Sequence, residues 1–210
     1  DLDYVQAGWD NYLQRHLDIF YNDKGILRLD THQTNLVPIY PGIVQWVNLN
    51  GDDYLDLVTV GSDQNEELGL RVYLNNSNYI LSKGLTWDSN LFGVTAGAAA
   101  FADYNSDGYD DFALTGLNRN NQTITYILTN SINRFEVKNG HVLQGVFFGK
   151  PAWGDYDSDG DLDLIITGQS NRDPSLGLGV DPITIIYNQQ SDGSFEIDNT
   201  LSLDSVGAVS

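Results

Sequence analysis

Apolar, β-branched and aromatic residues in this chain fall into short runs bounded by Gly, Asn and Asp, the pattern of strands separated by turns. Asp56 to Gly61, Asp111 to Gly116 and Asp163 to Gly168 each read as a strand that begins on an acidic residue and stops at glycine. A strand of small residues precedes each of them: Gly42-Ile43-Val44, Gly97-Ala98-Ala99-Ala100 and Gly149-Lys150-Pro151-Ala152. A Tyr/Asn signature follows, at Tyr73-Leu74-Asn75, Tyr126 to Asn130 and Tyr187-Asn188, and then a turn and a short apolar segment such as Phe195-Glu196-Ile197. The repeating unit is therefore four strands, A to D. Residues 1 to 8 supply the B strand of an incomplete first unit, Leu17 to Asn22 its C strand, and Ile26 to Leu29 its D strand after the tight turn Asp23-Lys24-Gly25. Glycine and alanine in the A strands suit strands that converge on an axis. Trp46, Phe101 and Trp153, two residues before each acidic loop, read as packing residues that fill the wedge between sheets.

The loops joining A to B carry the candidate chemistry. Asp155, Asp157, Asp159 and Asp163, with Gly160, form D-x-D-x-D-G-x-x-D. Alternate carboxylates turn inward, Gly160 permits a positive φ, and the set suits Ca²⁺, which takes oxygen ligands at about 2.3–2.6 Å. The seventh position, Asp161, offers its main-chain carbonyl. The same places hold Asp103, Asn105, Asp107 and Asp111, with Tyr109 seventh, and Asn48, Asn50, Asp52 and Asp56, with Tyr54 seventh. A fourth copy keeps only its tail, because Asp1 to Gly8 superimposes on Asp161 to Gly168. The closing aspartates at 3, 56, 111 and 163 are spaced by 53, 55 and 52 residues, the period of a propeller or related array. An EF-hand would need Glu at the twelfth position and flanking helices, whereas Thr59, Leu114 and Ile166 stand there. Solvated hairpin turns would account for one such loop, but not for ligand positions recurring in register three times. Asn48 and Asn50 replace carboxylates and Asp53 occupies the glycine place, so calcium affinity is expected to fall from the Asp155 loop through the Asp103 loop to the Asn48 loop.

Charge narrows the function. The formal net charge is −19, from 29 acidic and 10 basic residues, which excludes nucleic-acid binding through phosphate contacts and disfavours an anionic membrane surface. The three complete loops hold nine carboxylates at ligand positions and repel themselves without a cation. With no Cys there is neither a disulfide nor a thiolate metal site. No apolar run has the length of a membrane-spanning helix and no signal peptide is recognised. The chain lacks Met and begins within a repeat, so it reads as a mature or excised piece, and Val206 to Val209 as the start of a further A strand. Asn75-Asn76-Ser77 and Asn121-Gln122-Thr123 are glycosylation sequons, making a glycoprotein the expectation for a secreted source.

These residues resemble the FG-GAP or VCBS repeats of the integrin-α-like β-propellers. Phe92-Gly93 before Gly97-Ala98-Ala99, and Phe148-Gly149 before Pro151-Ala152, are similar to the family's name motif, and the acidic loops match its calcium loops. The resemblance covers essentially the whole chain. It implies an all-β fold, a β-propeller of four-stranded antiparallel blades; with about four repeats here, the chain reads as part of a larger ring, the alternative being a four-bladed ring with the broken loop at its seam. The blades would be a partial one at 1–35, then 36–90, 91–142 and 143–200, and the start of another at 201–210. It further implies Ca²⁺ at about three sites, each stabilising an A–B hairpin, in an extracellular or cell-surface module with a structural, adhesion or assembly role.

The expected partner is a protein or glycan on the cell surface or in the matrix, and open blade edges would also permit self-assembly; nucleic acid and membrane insertion are not expected. An alternative is a glycan-binding propeller lectin, with candidates in the B–C loops at Trp9 and Tyr12, Asn118 to Asn121, and Gln169 to Asp181 with Arg172. Exposed loops are rich in such residues in any case. Catalysis is not expected: His16, His32 and His141 lie at non-equivalent places and no nucleophile elbow or H-E-x-x-H occurs. A non-catalytic propeller part of a polysaccharide-active enzyme remains the other alternative.

Overall fold

A computed structural model of the chain describes residues 3–33, 35–75, 81–83, 92–131, 134–138, 143–170, 172–173, 178–179, 181–201 and 203. The strands among them are β1 (Tyr4–Trp9), β2 (Arg15–Asp23), β3 (Ile26–Leu29), β4 (Gly42–Val47), β5 (Asp56–Ser62), β6 (Leu68–Leu74), β7 (Ser82–Lys83), β8 (Thr95–Ala102) and β9 (Asp111–Leu117). They continue with β10 (Thr123–Asn130), β11 (Phe135–Val137), β12 (Phe147–Gly154), β13 (Asp163–Gln169), β14 (Arg172–Asp173), β15 (Leu178–Gly179), β16 (Pro182–Gln189) and β17 (Phe195–Ile197). No helix occurs among the described residues, and none is long and apolar enough to cross a membrane.

The chain divides into two compact units, Asp1–Thr95 and Ala96–Ser210. The first contains an antiparallel sheet β1-β2-β3 and a four-stranded sheet β4-β5-β6-β7. The second contains β8-β9-β10-β11, β12-β13-β16-β17 and the small hairpin β14-β15. Strand order follows chain order within each sheet, so every connection is a hairpin and the A-B-C-D reading of the sequence holds. The exception is β14-β15, which interrupts the segment Gln169 to Asp181 read from sequence as a plain loop.

The B strands β5 and β9 are central and every one of their residues is buried, which is why they read as continuous apolar runs; β13 is central and partly buried, and β1, at the edge of its sheet, is largely exposed. In the first unit Ile19, Leu57, Tyr73 and Leu81 form a core against which Trp46 packs. In the second, Tyr104, Leu164, Ile166, Tyr187 and Phe195 are among the core residues, with Trp153 against them. The Trp153 ring lies 5.4 Å from that of Tyr104 at 5°, and its indole N–H donates to the Ala100 carbonyl at 3.0 Å. Phe101 stacks on Phe112 at 4.8 Å. The aromatics before the loops are thus packing residues, as expected.

Gly42 relieves crowding inside its own hairpin: a Cβ on it would stand 2.8 Å from the Val60 carbonyl oxygen, and one on its register partner Gly61 would stand 2.5 Å from that of Pro41. The Tyr/Asn signature is not uniform. Tyr73 and Tyr187 are equivalent and buried, and their hydroxyls accept main-chain N–H groups from Val37 at 2.9 Å and Gln144 at 2.7 Å, tying down the segment that leads into each A strand. In the third sheet Leu128 holds that place, and Tyr126 lies two residues earlier. Asp1 and Leu2, Asn76 and Ser77, His141 and the segment 206–209 lie outside the described residues.

Candidate metal centre

Each acidic loop connects an A strand to a B strand, and the closing aspartate is the first residue of the B strand. Asp56, Asp111 and Asp163 are buried. Each carboxylate holds the end of the C strand by accepting a main-chain N–H at Oδ1: Asp56 from Asn75 at 2.8 Å, Asp111 from Asn130 at 2.6 Å and Asp163 from Gln189 at 2.9 Å. Asp3 does the same for Asn22 at 3.0 Å, so the incomplete copy keeps the clamp. The sequence reading missed this second task of the ninth position. The signal was present, since Asp3, Asp56 and Asp111 each stand 19 residues before an Asn.

The Asp103 and Asp155 loops share one hydrogen-bond pattern. Asp107 N–H donates to Asp103 Oδ1 at 3.0 Å and to Asn105 Oδ1 at 2.9 Å, and Gly108 N–H to Asp103 Oδ2 at 2.9 Å. Asp159 N–H donates to Asp155 Oδ1 at 3.1 Å and to Asp157 Oδ1 at 3.2 Å, and Gly160 N–H to Asp155 Oδ2 at 3.2 Å. The seventh residues, Tyr109 and Asp161, donate their N–H groups to Asp107 at 3.0 Å and Asp159 at 2.9 Å. Both loops turn through positive φ at the fourth and sixth positions, Ser106 and Gly108 in one, Ser158 and Gly160 in the other. Asp155, Asp157 and Asp159 bring one carboxylate oxygen each to within 4.8 Å of one another. Asn188 Nδ2 donates to Asp157 Oδ2 at 2.6 Å and orients that carboxylate.

The Asn48 loop is built differently. Asn48 Oδ1 accepts from Gly51 N–H at 2.9 Å, which turns its Nδ2 onto the Asp52 main-chain oxygen at 2.5 Å. Asn50 Oδ1 accepts from Asp52 N–H at 3.1 Å, and its Nδ2 donates to Asp52 Oδ2 at 2.9 Å. Tyr54 N–H takes the other Asp52 oxygen at 2.8 Å. The positive φ falls on Gly51 at 73°, and Asp53 keeps a negative φ, so the expected left-handed Asp53 is not required.

Burial and clustered charge act together on the closing carboxyls. Burial lifts Asp111 to about 7 against the Asn130 N–H, with Asp107 and Asp103 adding to the rise. Burial lifts Asp56 to about 6 against the Asn75 and Leu49 N–H groups, with Asp52 adding. Asp163 is raised too, chiefly by burial, against the N–H groups of Gln189 and Tyr156. Asp56 Oδ2 and Asp163 Oδ2 accept from Leu49 and Tyr156 N–H, both at 3.1 Å. In the Asp103 loop the matching amide, Tyr104 N–H, donates to the Ala102 carbonyl at 3.0 Å; it still faces Asp111 closely enough to oppose the rise, but Asp111 Oδ2 is buried without a hydrogen bond of good geometry. An all-oxygen, anionic donor set with a buried oxygen so weakly answered fits a hard divalent cation.

Among the other candidates, Asn118 to Asn121 form a self-contained turn, in which Asn118 Oδ1 accepts from Asn120 N–H at 2.9 Å and Gln122 N–H at 3.1 Å. Tyr12 is exposed and Trp9 lines a cleft. No protein-family model matches the chain, and no curated protein matches it.

Proposed function

We propose that this chain is a calcium-binding β-propeller segment of the FG-GAP or VCBS type, serving as an extracellular or cell-surface module for adhesion or assembly with a protein or glycan partner. The observation that carries this reading is the convergence of Asp155, Asp157 and Asp159 on a loop whose hydrogen bonds recur in the Asp103 loop. In the Asp155 loop the holding residues would be Asp155, Asp157, Asp159, Asp163 and the Asp161 carbonyl. In the Asp103 loop they would be Asp103, Asn105, Asp107, Asp111 and the Tyr109 carbonyl. Bound Ca²⁺ would supply positive charge that cancels carboxylate repulsion and fixes the A–B hairpin. The loop residues hold their carboxylates in place with main-chain N–H groups, and the closing aspartates carry the constraint on to the C strand. At an affinity of ~0.1 mM and calcium near ~1 mM, each occupied site adds about 1.4 kcal/mol to folding. The Asn48 loop comes last in the expected order, because its amides already answer Asp52. Titration calorimetry of the chelator-treated chain tests the reading. It predicts calcium binding that is strongest at the Asp155 loop and is lost first in Asp157→Asn with Asp159→Asn; absence of binding at millimolar calcium would contradict it.

A further inference from the structure

Asn50 is followed by Gly51, a pair in which the main-chain nitrogen readily reaches the side-chain amide, because glycine carries no Cβ to shield it. The loop sets up that encounter. Asn50 Oδ1 accepts the Asp52 N–H at 3.1 Å, which folds the Asn50 side chain back over the Gly51 peptide, and Gly51 is exposed and turns through a φ of 73°. The same Asp52 N–H is a fixed donor to the oxygen that becomes an oxyanion when Asn50 Cγ is attacked. The Gly51 N–H rests on Asn48 Oδ1 at 2.9 Å, an exposed bond that water can replace.

Two other asparagines of the acidic loops each lack one part. Asn105 Oδ1 accepts the Asp107 N–H at 2.9 Å in the same way, but the next nitrogen belongs to Ser106, whose Cβ stands beside it. Asn48 is followed by Leu49, which is fully buried and whose N–H is committed to Asp56 Oδ2 at 3.1 Å. Asn139-Gly140, the other Asn-Gly pair of the chain, lies outside the described residues.

We propose that Asn50 is a modification site that deamidates spontaneously in the folded chain. The Gly51 nitrogen gives its proton to solvent base and bonds to Asn50 Cγ, the Cγ–Nδ2 bond breaks, and Nδ2 takes a proton from water and leaves as ammonia. A water molecule then opens the succinimide ring. Opening at Cγ gives aspartate, and opening at the main-chain carbonyl gives isoaspartate, which adds an atom to the backbone. Aspartate at this place loses the Nδ2 donor that Asp52 Oδ2 accepts at 2.9 Å, and adds a third ligand carboxylate to Asp52 and Asp56, the number in the Asp103 loop. The second loop thereby gains calcium affinity as the protein ages, a consequence that rests on the calcium reading above, whereas the deamidation does not.

The test is peptide mapping by mass spectrometry of the whole chain, held in chelator in mildly alkaline water enriched in ¹⁸O, with a blocked Leu-Asn-Gly-Asp-Asp peptide alongside. The expected result is ¹⁸O-labelled aspartate and isoaspartate at position 50, while Asn48 and Asn105 convert about tenfold more slowly or not at all. Gly51→Ala should slow the conversion about tenfold. Asn50→Asp, a uniform form of one product, should bind calcium at the second loop about tenfold more tightly than the parent, as followed at the Gly51 amide by NMR. An intact Asn50 once the peptide has converted would overturn the proposal, as would labelled aspartate without isoaspartate or an unchanged rate in Gly51→Ala. Conversion without a gain in affinity in Asn50→Asp would overturn the consequence alone if the Asp155 loop still bound calcium, and the calcium reading with it if that loop did not.

Discussion

In the Asn48 loop two side-chain amides aim their N–H groups at Asp52, one at its main-chain oxygen and one at its carboxylate. In the Asp155 loop three carboxylates meet within 4.8 Å, and apart from Asn188 at Asp157 the donors facing them are main-chain N–H groups of the loop. The spacing is the same in both. What differs is the residue type at the first and third positions. An amide there accepts a main-chain N–H with its oxygen and still has a donor to give, so the loop is answered from within. A carboxylate accepts only, so each added Asp deepens a charge that the loop cannot neutralise. One spacing therefore specifies a turn, and the donor balance decides whether the turn needs a cation.

The largest effect should come from what the two loops share. Asp56→Ala and Asp163→Ala each leave two main-chain N–H groups without their buried acceptor, and urea unfolding should show a loss of about 2–4 kcal/mol for either, with or without calcium. If Asp56→Ala were harmless in chelator, the clamp would have no structural weight. Next, Asp157→Asn with Asp159→Asn should cut calcium affinity at the Asp155 loop by about 100-fold while leaving stability in chelator unchanged or higher, because two mutually repelling charges are gone. A loss of stability in chelator would show that these carboxylates are needed for the turn itself.

A smaller effect should follow from converting one loop to the other. Asn48→Asp with Asn50→Asp removes both amide donors and should cost about 1 kcal/mol in chelator, regained on adding calcium. The dependence on pH is a further comparison. Asp111 at about 7 and Asp56 at about 6 lie above the unfolded carboxyl value of roughly 4, so the folded, cation-free chain binds more protons than the unfolded one. Their stabilising contribution is complete below pH ~4 and is lost as pH rises through about 6 for Asp56 and about 7 for Asp111. Calorimetric scans in chelator should therefore give a higher melting temperature at pH 5 than at pH 8, and calcium should flatten or invert that slope by favouring the ionised form.

Much of the fold was legible because its signals are local. Apolar runs that start at Asp and stop at Gly gave the B strands, and Asp23-Lys24-Gly25 gave the β2-β3 hairpin with its β3 boundaries unchanged. Loop membership was legible for the same reason. The parts that escaped depend on partners distant in sequence. That Asp163 holds Gln189, 26 residues later, needs the β13-β16 register, and β14-β15 carries no alternating pattern strong enough to mark it. Asp53 misled because the place of the positive φ was assumed to follow the ligand spacing, whereas Gly51, two residues earlier, takes the turn.

Thermal unfolding of the whole chain at pH 7.5, in about 1 mM calcium and again in chelator, with bound metal counted in parallel, tests the central claim most directly. The account predicts a melting temperature several degrees higher in calcium, with the Asp155 and Asp103 loops loaded and the Asn48 loop filling last. An identical melt in both conditions with no metal retained would contradict it, leaving the acidic loops as turns held by their own N–H groups.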